Sequence, residues 1–249
     1  MNNLLVREPV LQQAAALLRS ARSLAVLTGA GISAESGIPT FRGAGGLWKN
    51  FRPEQLATPE AFESNPELVW EWYDWRRRLI NEAKPNAGHE ALVILEQHFS
   101  ALTVITQNVD GLHRQAGSAS VLEVHGSIWR VRCTKCRDEW EDRRVPIPCP
   151  PRCKCGGIVR PGVVWFGEAL PMSVWHSAEC AISQCDVMLV VGTSAIVYPA
   201  AGLVPLARET NARVIEVNTE RTAMSDSVDL ALTGPAAEIL PLLVNRCAH

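Results

Sequence analysis

Leu24-Ala25-Val26-Leu27-Thr28-Gly29-Ala30-Gly31-Ile32-Ser33 is the stretch on which the fold turns. Four apolar residues in a row, met at once by glycines, have the pattern of a buried parallel strand feeding a tight loop. Three further runs share that character: ALTVIT (101–106), DVMLVVGTS (186–194) and ARVIEVN (212–218). Helical patterns lie among them, at 8–22, 86–98, 199–209 and 235–244. Alternating strands and helices predict an α/β fold with a mostly parallel sheet.

The chain has 249 residues, enough for one or two domains and a sizeable core. With 47% hydrophobic and 20% charged residues it is globular rather than disordered. A net charge of -2 and a pI near 6.3 speak against a nucleic-acid binder driven by phosphate contacts. No apolar run reaches the roughly 18 residues of a membrane span. The start, with Arg7 and Glu8, lacks the charged and apolar regions of a signal peptide, so a cytoplasmic location is expected. No coiled-coil pattern is visible, and a monomer is expected.

Two segments interrupt the alternation. One, at about 45–85, is Trp-rich and helical. The other, 129–162, is rich in Cys, Pro and Arg and has little apolar periodicity, so a bound ion is its expected organiser. Five of the eight cysteines fall here. Cys133 and Cys136 form C-x2-C, and Cys153 and Cys155 form C-x-C, with sixteen residues between the pairs. Four thiolates at this spacing suit tetrahedral, structural zinc. Cys149 is a spare that could replace Cys153. A redox C-x-x-C is the rival reading, and the second pair argues against it. Between 130 and 160 nine Lys/Arg stand against four Asp/Glu. That excess allows a zinc ribbon that touches nucleic acid, although a four-thiolate zinc centre offsets part of it.

Gly29-Ala30-Gly31-Ile32-Ser33-Ala34 fits G-x-G-x-x-A, a dinucleotide-binding pattern whose glycines bring backbone N–H groups close to a pyrophosphate. It is equally a tight strand-to-helix turn. The acidic ribose ligand expected about 20 residues on is missing, because Lys49 and Asn50 stand there. Gln107, Asn108 and Asp110 follow a strand end, where open α/β sheets bind ligands; an Asx-type turn is the alternative. His125 can take a proton near neutral pH, and His113 competes with it on the same grounds.

Asn65-Pro66 opens a helix that Pro85 limits. At about 100° per residue, Leu68, Val69, Trp72, Trp75, Leu79 and Ile80 share one arc. Glu67, Glu71, Asp74, Arg77 and Arg78 fall outside it. Arg76 falls inside, with Tyr73 beside it. A buried arginine needs a partner: a carboxylate of the protein or an anionic ligand.

In order along the chain, GAGIS (29–33), GIPTFRG (37–43), TQNVDGLH (106–113), HG (125–126), the cysteine pairs, VVWFGE (163–168), GTS (192–194) and VN (217–218) resemble the sirtuins, the NAD-dependent protein deacylases. The resemblance covers roughly residues 20–245 and implies a Rossmann-like large part (1–44, 86–128, 163–249). A small module would come from the insertions 45–85 (helical) and 129–162 (zinc), with NAD in the cleft between. It implies that Gly29, Ala30, Gly31, Glu35, Thr40, Phe41, Arg42 and Trp48 hold NAD, and that Gln107, Asn108 and Asp110 contact its nicotinamide and ribose end. Gly192, Thr193, Ser194 and Asn218, with Ala236, would hold the adenosine side. Val163, Val164, Trp165, Phe166 and Gly167 would pair with the substrate peptide as an added strand. His125 would be the general base, in a reaction that consumes NAD and yields nicotinamide, free lysine and an O-acyl-ADP-ribose. The C-x-C pair varies the family's usual spacing. Tyr73-x-x-Arg76 and Ala44 resemble the subgroup similar to desuccinylases and demalonylases, in which Tyr and Arg bind an acyl carboxylate. An NAD-linked oxidoreductase is the other enzymatic reading; it would reduce the cofactor rather than cleave it.

Overall fold

The computed structural model describes residues 8–40 and 52–247. Six parallel strands form the main sheet: β1 (Ser23–Thr28), β2 (Ala101–Thr106), β3 (Val121–Glu123), β7 (Val187–Val191), β8 (Arg213–Asn218) and β9 (Leu230–Thr233). Their spatial order is β3-β2-β1-β7-β8-β9. Successive side chains of a strand point to opposite faces. Val26, Val104, Leu189 and Ile215 therefore pack against α1 (Glu8–Ser20), α5 (Ala87–Glu96) and α9 (Ala236–Cys247). Their neighbours Ala25, Leu27, Ile105, Met188 and Val190 pack against α7 (Met172–Ser183) and α8 (Leu203–Glu209). Helices cover both faces, which is why these strands read as unbroken apolar runs. From β1 the order runs outward to β2 and β3, and from β7 it runs the other way to β8 and β9. The switch point thus lies between β1 and β7, where such sheets open a crevice at their carboxyl ends.

A second, antiparallel sheet has the order β5-β4-β6, built from β4 (Gly126–Cys133), β5 (Glu139–Glu141) and β6 (Val159–Val163). It shares a core with α3 (Pro59–Ser64) and α4 (Pro66–Glu82): Phe62, Val69, Trp70 and Ile80 meet Ile128, Val131, Ile147 and Val159. The Cys-rich segment lacks a core of its own, and α4 supplies the missing half. The small sheet reaches back to Gly126 and on to Val163, so the boundaries expected at 129 and 162 fall inside β4 and β6.

The Asn65 side chain caps α4 by accepting the Leu68 N–H at 3.0 Å. The helix is buried on two sides rather than one. Asp74 and Arg77, which the single-face wheel leaves outside the buried arc, are both inside the protein. No helix among the described residues is long and apolar enough to cross a membrane.

Candidate active site

The glycine turn after β1 packs directly on the turn after β7. Gly31 N–H donates to the Gly192 carbonyl at 2.8 Å and Gly29 N–H to the Val191 carbonyl at 3.1 Å. A Cβ on Gly31 would sit 2.6 Å from Gly192 Cα, and one on Gly29 2.6 Å from Thr193 Cβ. Gly192 itself has φ +59, with Ile32 N 2.5 Å from a notional Cβ. These glycines serve the junction between the two turns. Their N–H groups are spent on the neighbouring turn, and the missing side chains let two loops meet across the switch point.

Beside that junction a cleft is lined by Ala30, Ser33, Ile38, Arg76, Asn108 and Asp110, among others. Asn108 Nδ2 donates to the Gly29 carbonyl at 3.0 Å and to Ser33 Oγ at 3.1 Å. Ser33 Oγ donates to Asp110 Oδ2 at 2.8 Å, and Asp110 Oδ1 accepts the Leu112 N–H at 2.9 Å. Burial raises the Asp110 carboxyl above the usual range, against these hydrogen bonds and the charge of Arg76. The Gln107 side chain spans the switch point, donating to Thr193 Oγ1 at 3.0 Å. A buried, preorganised polar cradle at this place fits the amide and ribose end of a dinucleotide.

The Gln107 main chain holds His125. Its carbonyl lies 3.1 Å from His125 Nδ1. A carbonyl only accepts, so Nδ1 carries the proton and Nε2 keeps its lone pair. Burial lowers the His125 pKa, opposed by this hydrogen bond, and the neutral form persists at pH 7. His113 differs. It is buried, Nε2 lies 2.9 Å from Thr28 Oγ1, and burial with the nearby His89 takes it down to about 3. The accessible base of the two is His125, which is only part-buried.

The four sulfurs of Cys133, Cys136, Cys153 and Cys155 lie within 4.8 Å of one another. Tetrahedral zinc with Zn–S bonds of about 2.3 Å asks for S···S separations of about 3.8 Å. Cys133 to Cys155 is 3.5 Å and Cys136 to Cys153 is 3.7 Å. The donor set and spacing fit zinc with every position filled, a structural centre. Cys149 is outside the group, its Sγ 3.3 Å from the Ile147 carbonyl, so the C-x-C pair supplies the second two ligands.

The Sir2 family model matches residues 29–199. This chain belongs to the Sir2 family. The NAD-dependent protein deacylase 2 of Pyrobaculum aerophilum is 54% identical over 231 residues, covering 92% of this chain and 93% of its own. A solved complex of a Sir2 homologue with NAD has a TM-score of 0.91 at 45% identity, over 95% of this chain and 93% of that one. A Sir2 protein solved with a myristoylated histone peptide has a TM-score of 0.81 at 35% identity, over 96% of this chain and 97% of that one.

The remaining residues named from the Sir2 resemblance are placed as follows. Phe41, Arg42, Ala44 and Trp48 lie outside the described residues. Thr40 is part-buried at the edge of the described segment. Glu35 Oε2 accepts the Ala237 N–H at 2.9 Å, at the start of α9 beside buried Ala236. Asn218 Nδ2 donates to the Thr193 carbonyl at 3.0 Å, and Ser194 is exposed. Val163 ends β6, an edge strand of the small sheet. Beyond it the N–H groups of Val164, Trp165 and Phe166 go to the His125 carbonyl, Glu168 Oε2 and the Ala57 carbonyl. Phe166 and Gly167 are exposed.

Arg76 is 4% exposed and lines the cleft beside Asn108 and Asp110. Its guanidinium carbon lies 4.7 Å from the Trp72 ring centre and 5.5 Å from that of Tyr73. Tyr73 is buried beside it.

Sequence reasoning misses Arg77. It is 0% exposed and donates to the carbonyls of Ile128 (2.7 Å), Asp142 and Arg144 (3.1 Å), with the Asp142 carboxylate 3.6 Å away. This residue fastens the helix that carries Tyr73 and Arg76 to the small sheet. The wheel holds no signal for it, because the second buried face of α4 is made by residues far along the chain.

Proposed function

We propose that this chain is an NAD-dependent protein-lysine deacylase that removes acetyl and also succinyl and malonyl groups, releasing nicotinamide and an O-acyl-ADP-ribose. The observation that carries the reading is His125. It is held by the Gln107 carbonyl with Nε2 unprotonated, one strand end away from the Asn108–Ser33–Asp110 cradle. The likeness to named NAD-dependent deacylases supports the activity.

NAD supplies an electrophilic anomeric carbon, to which the acyl oxygen bonds as nicotinamide leaves. Gln107, Asn108 and Asp110 orient its nicotinamide and ribose end. Gly29, Ala30, Gly31, Glu35 and Thr40, with Phe41, Arg42 and Trp48, hold its middle. Gly192, Thr193, Ser194, Asn218 and Ala236 take the adenosine side. His125 Nε2 receives a ribose hydroxyl proton, and its low pKa keeps it ready for that at neutral pH. Residues 163–167 receive the substrate peptide along the β6 edge. Tyr73 and Arg76 grip a carboxylate at the acyl tip. Zinc on Cys133, Cys136, Cys153 and Cys155 holds the small sheet and takes no part in the chemistry. The two sheets with their separate cores support a large nucleotide-binding part and a small zinc-and-helix module, working as one monomeric catalytic unit.

Mass spectrometry of products from NAD and a succinyl-lysine peptide tests the reaction. Free nicotinamide, unmodified lysine and O-succinyl-ADP-ribose are expected; reduced NAD without nicotinamide release overturns it. In Arg76→Met, kcat/KM on the succinyl peptide should fall about 10- to 150-fold, the loss of a charge-assisted hydrogen bond. Acetyl and succinyl turnover falling together would remove the acyl-carboxylate role.

A further inference from the structure

Trp165 sits in a clamp that peptide binding alone does not require. The residue is 3% exposed, so its ring points into the protein. The guanidinium carbon of Arg160 lies 3.5 Å from the ring centre, and Phe62 packs at 5.3 Å. Arg160 forks onto Glu168, Nη1 to Oε1 at 2.5 Å and Nη2 to Oε2 at 2.8 Å. Glu168 Oε2 in turn accepts the Trp165 main-chain N–H at 2.8 Å. One ion pair therefore grips this residue by its ring face and by its backbone.

The clamp aims the indole N–H at Tyr73 Oη, 2.9 Å away. An indole N–H only donates, so the phenol oxygen is the acceptor. Tyr73 is 2% exposed, and its hydroxyl direction is set by protein neighbours rather than by bulk water. Its ring meets Trp72 edge-on at 4.8 Å and Trp70 at 6.5 Å, which fixes the ring plane. With one in-plane site taken by the indole, the phenol hydrogen must use the other. Arg76 beside it also only donates. Two donors thus stand together, a combination that suits an acceptor such as a carboxylate.

We propose that Trp165, clamped by Arg160 and Glu168, is a positioning residue that holds Tyr73 as a hydrogen-bond donor and so sets the preference for carboxylate-tipped acyl groups. This rests on the reading of Tyr73 and Arg76 as the acyl-carboxylate pair. Without the indole N–H, the phenol can turn its hydrogen into the vacated direction and show a lone pair to the carboxylate. An acetyl group has no distal carboxylate with which to sense the change. Burial also raises the Tyr73 pKa, so the donor proton stays in place through the neutral range.

The test is Trp165→Phe, which keeps a ring under Arg160 and removes the N–H. The readout is the ratio of kcat/KM on a succinyl-lysine peptide to that on the acetyl-lysine peptide of the same sequence, with Tyr73→Phe as companion. The ratio should fall about five- to tenfold in Trp165→Phe, through KM of the succinyl peptide, as for one lost hydrogen bond. It should fall in Tyr73→Phe as well. A lower ratio in Tyr73→Phe but not in Trp165→Phe overturns the positioning role and leaves the acyl pair standing. An unchanged ratio in Tyr73→Phe overturns the inference, and with Arg76→Met also unchanged it overturns the acyl pair too. If Trp165→Phe does not fold, 3-benzothienylalanine at position 165 replaces the N–H by sulfur at nearly the same shape, and the same ratio decides.

Discussion

Acidification tests the burial of two imidazoles that the proposed chemistry does not use. His89 and His113 are buried with ring centres 4.9 Å apart. His89 Nδ1 accepts the Asn86 N–H at 3.3 Å, and His113 Nε2 meets Thr28 Oγ1 at 2.9 Å. Burial lowers His89 from 6.5 to about 4, and burial with the charge of His89 lowers His113 from 6.5 to about 3. Both folded values lie below the unfolded one, so below pH 6.5 the unfolded chain binds more protons than the native one. Stability from this pair is complete above that pH and drains as pH falls toward 4. A pH of about 5 lies about 1.5 units below the unfolded pKa of each imidazole, which costs about 2 kcal/mol each and about 4 for the pair. Urea denaturation at about pH 7.5 and about pH 5 measures the loss in the parent and in His113→Gln. Glutamine keeps a donor for Thr28 and does not titrate, so the variant's acid loss should be smaller by about 2 kcal/mol. Equal losses in the two proteins would show that His113 is not held neutral by burial.

Arg77→Met should cost about 3–5 kcal/mol, because it leaves the carbonyls of Ile128, Asp142 and Arg144 without their buried donor, while the Asp142 carboxylate keeps its pairing with Arg144. For a chain of this size that is a Tm drop of roughly 6–20 °C; a drop under about 2 °C would contradict the burial. The acid limb of kcat/KM should have its midpoint below 6.5, since His125 is lowered by burial, and His125→Ala should abolish turnover; a midpoint near 7.5 would point to another base. Metal analysis should find about one zinc per chain, and chelation or Cys136→Ser should release it and lower Tm through loss of the small sheet. Retention of both metal and Tm in Cys136→Ser would exclude that thiolate as a ligand.

The core strands were legible because burial on both faces leaves an unbroken apolar run. β2 has the bounds that its sequence predicts, 101–106, β7 and β8 fall within theirs, and β1 runs one residue beyond the predicted 24–27 at each end. α7 went unread for a matching reason. Only Ala178 and Ile182 of its twelve residues are buried and no side chain caps it, so it shows little periodicity. β9 has four residues, of which only Leu232 is buried. At the site, Arg76 stood out because a charge on an apolar arc is costly wherever the helix docks. Arg77 and Asp74 did not, since nothing local tells that β4 and the loop at 142–147 close over a second face.

From the sequence alone follow a parallel α/β core, an ion-organised cysteine segment and a buried arginine next to a tyrosine. These are local consequences of periodicity, ligand spacing and the cost of burying charge. Tertiary structure decided which cysteine pair completes the metal site, which histidine keeps an accessible lone pair, and why Gly29 and Gly31 are glycines. Each of those depends on which strand lies beside which. The order β2-β1-β7 brings Gly192 against Gly31 and Gln107 against Thr193. Strand order is set by the packing free energy of the whole sheet, which no short window of residues contains.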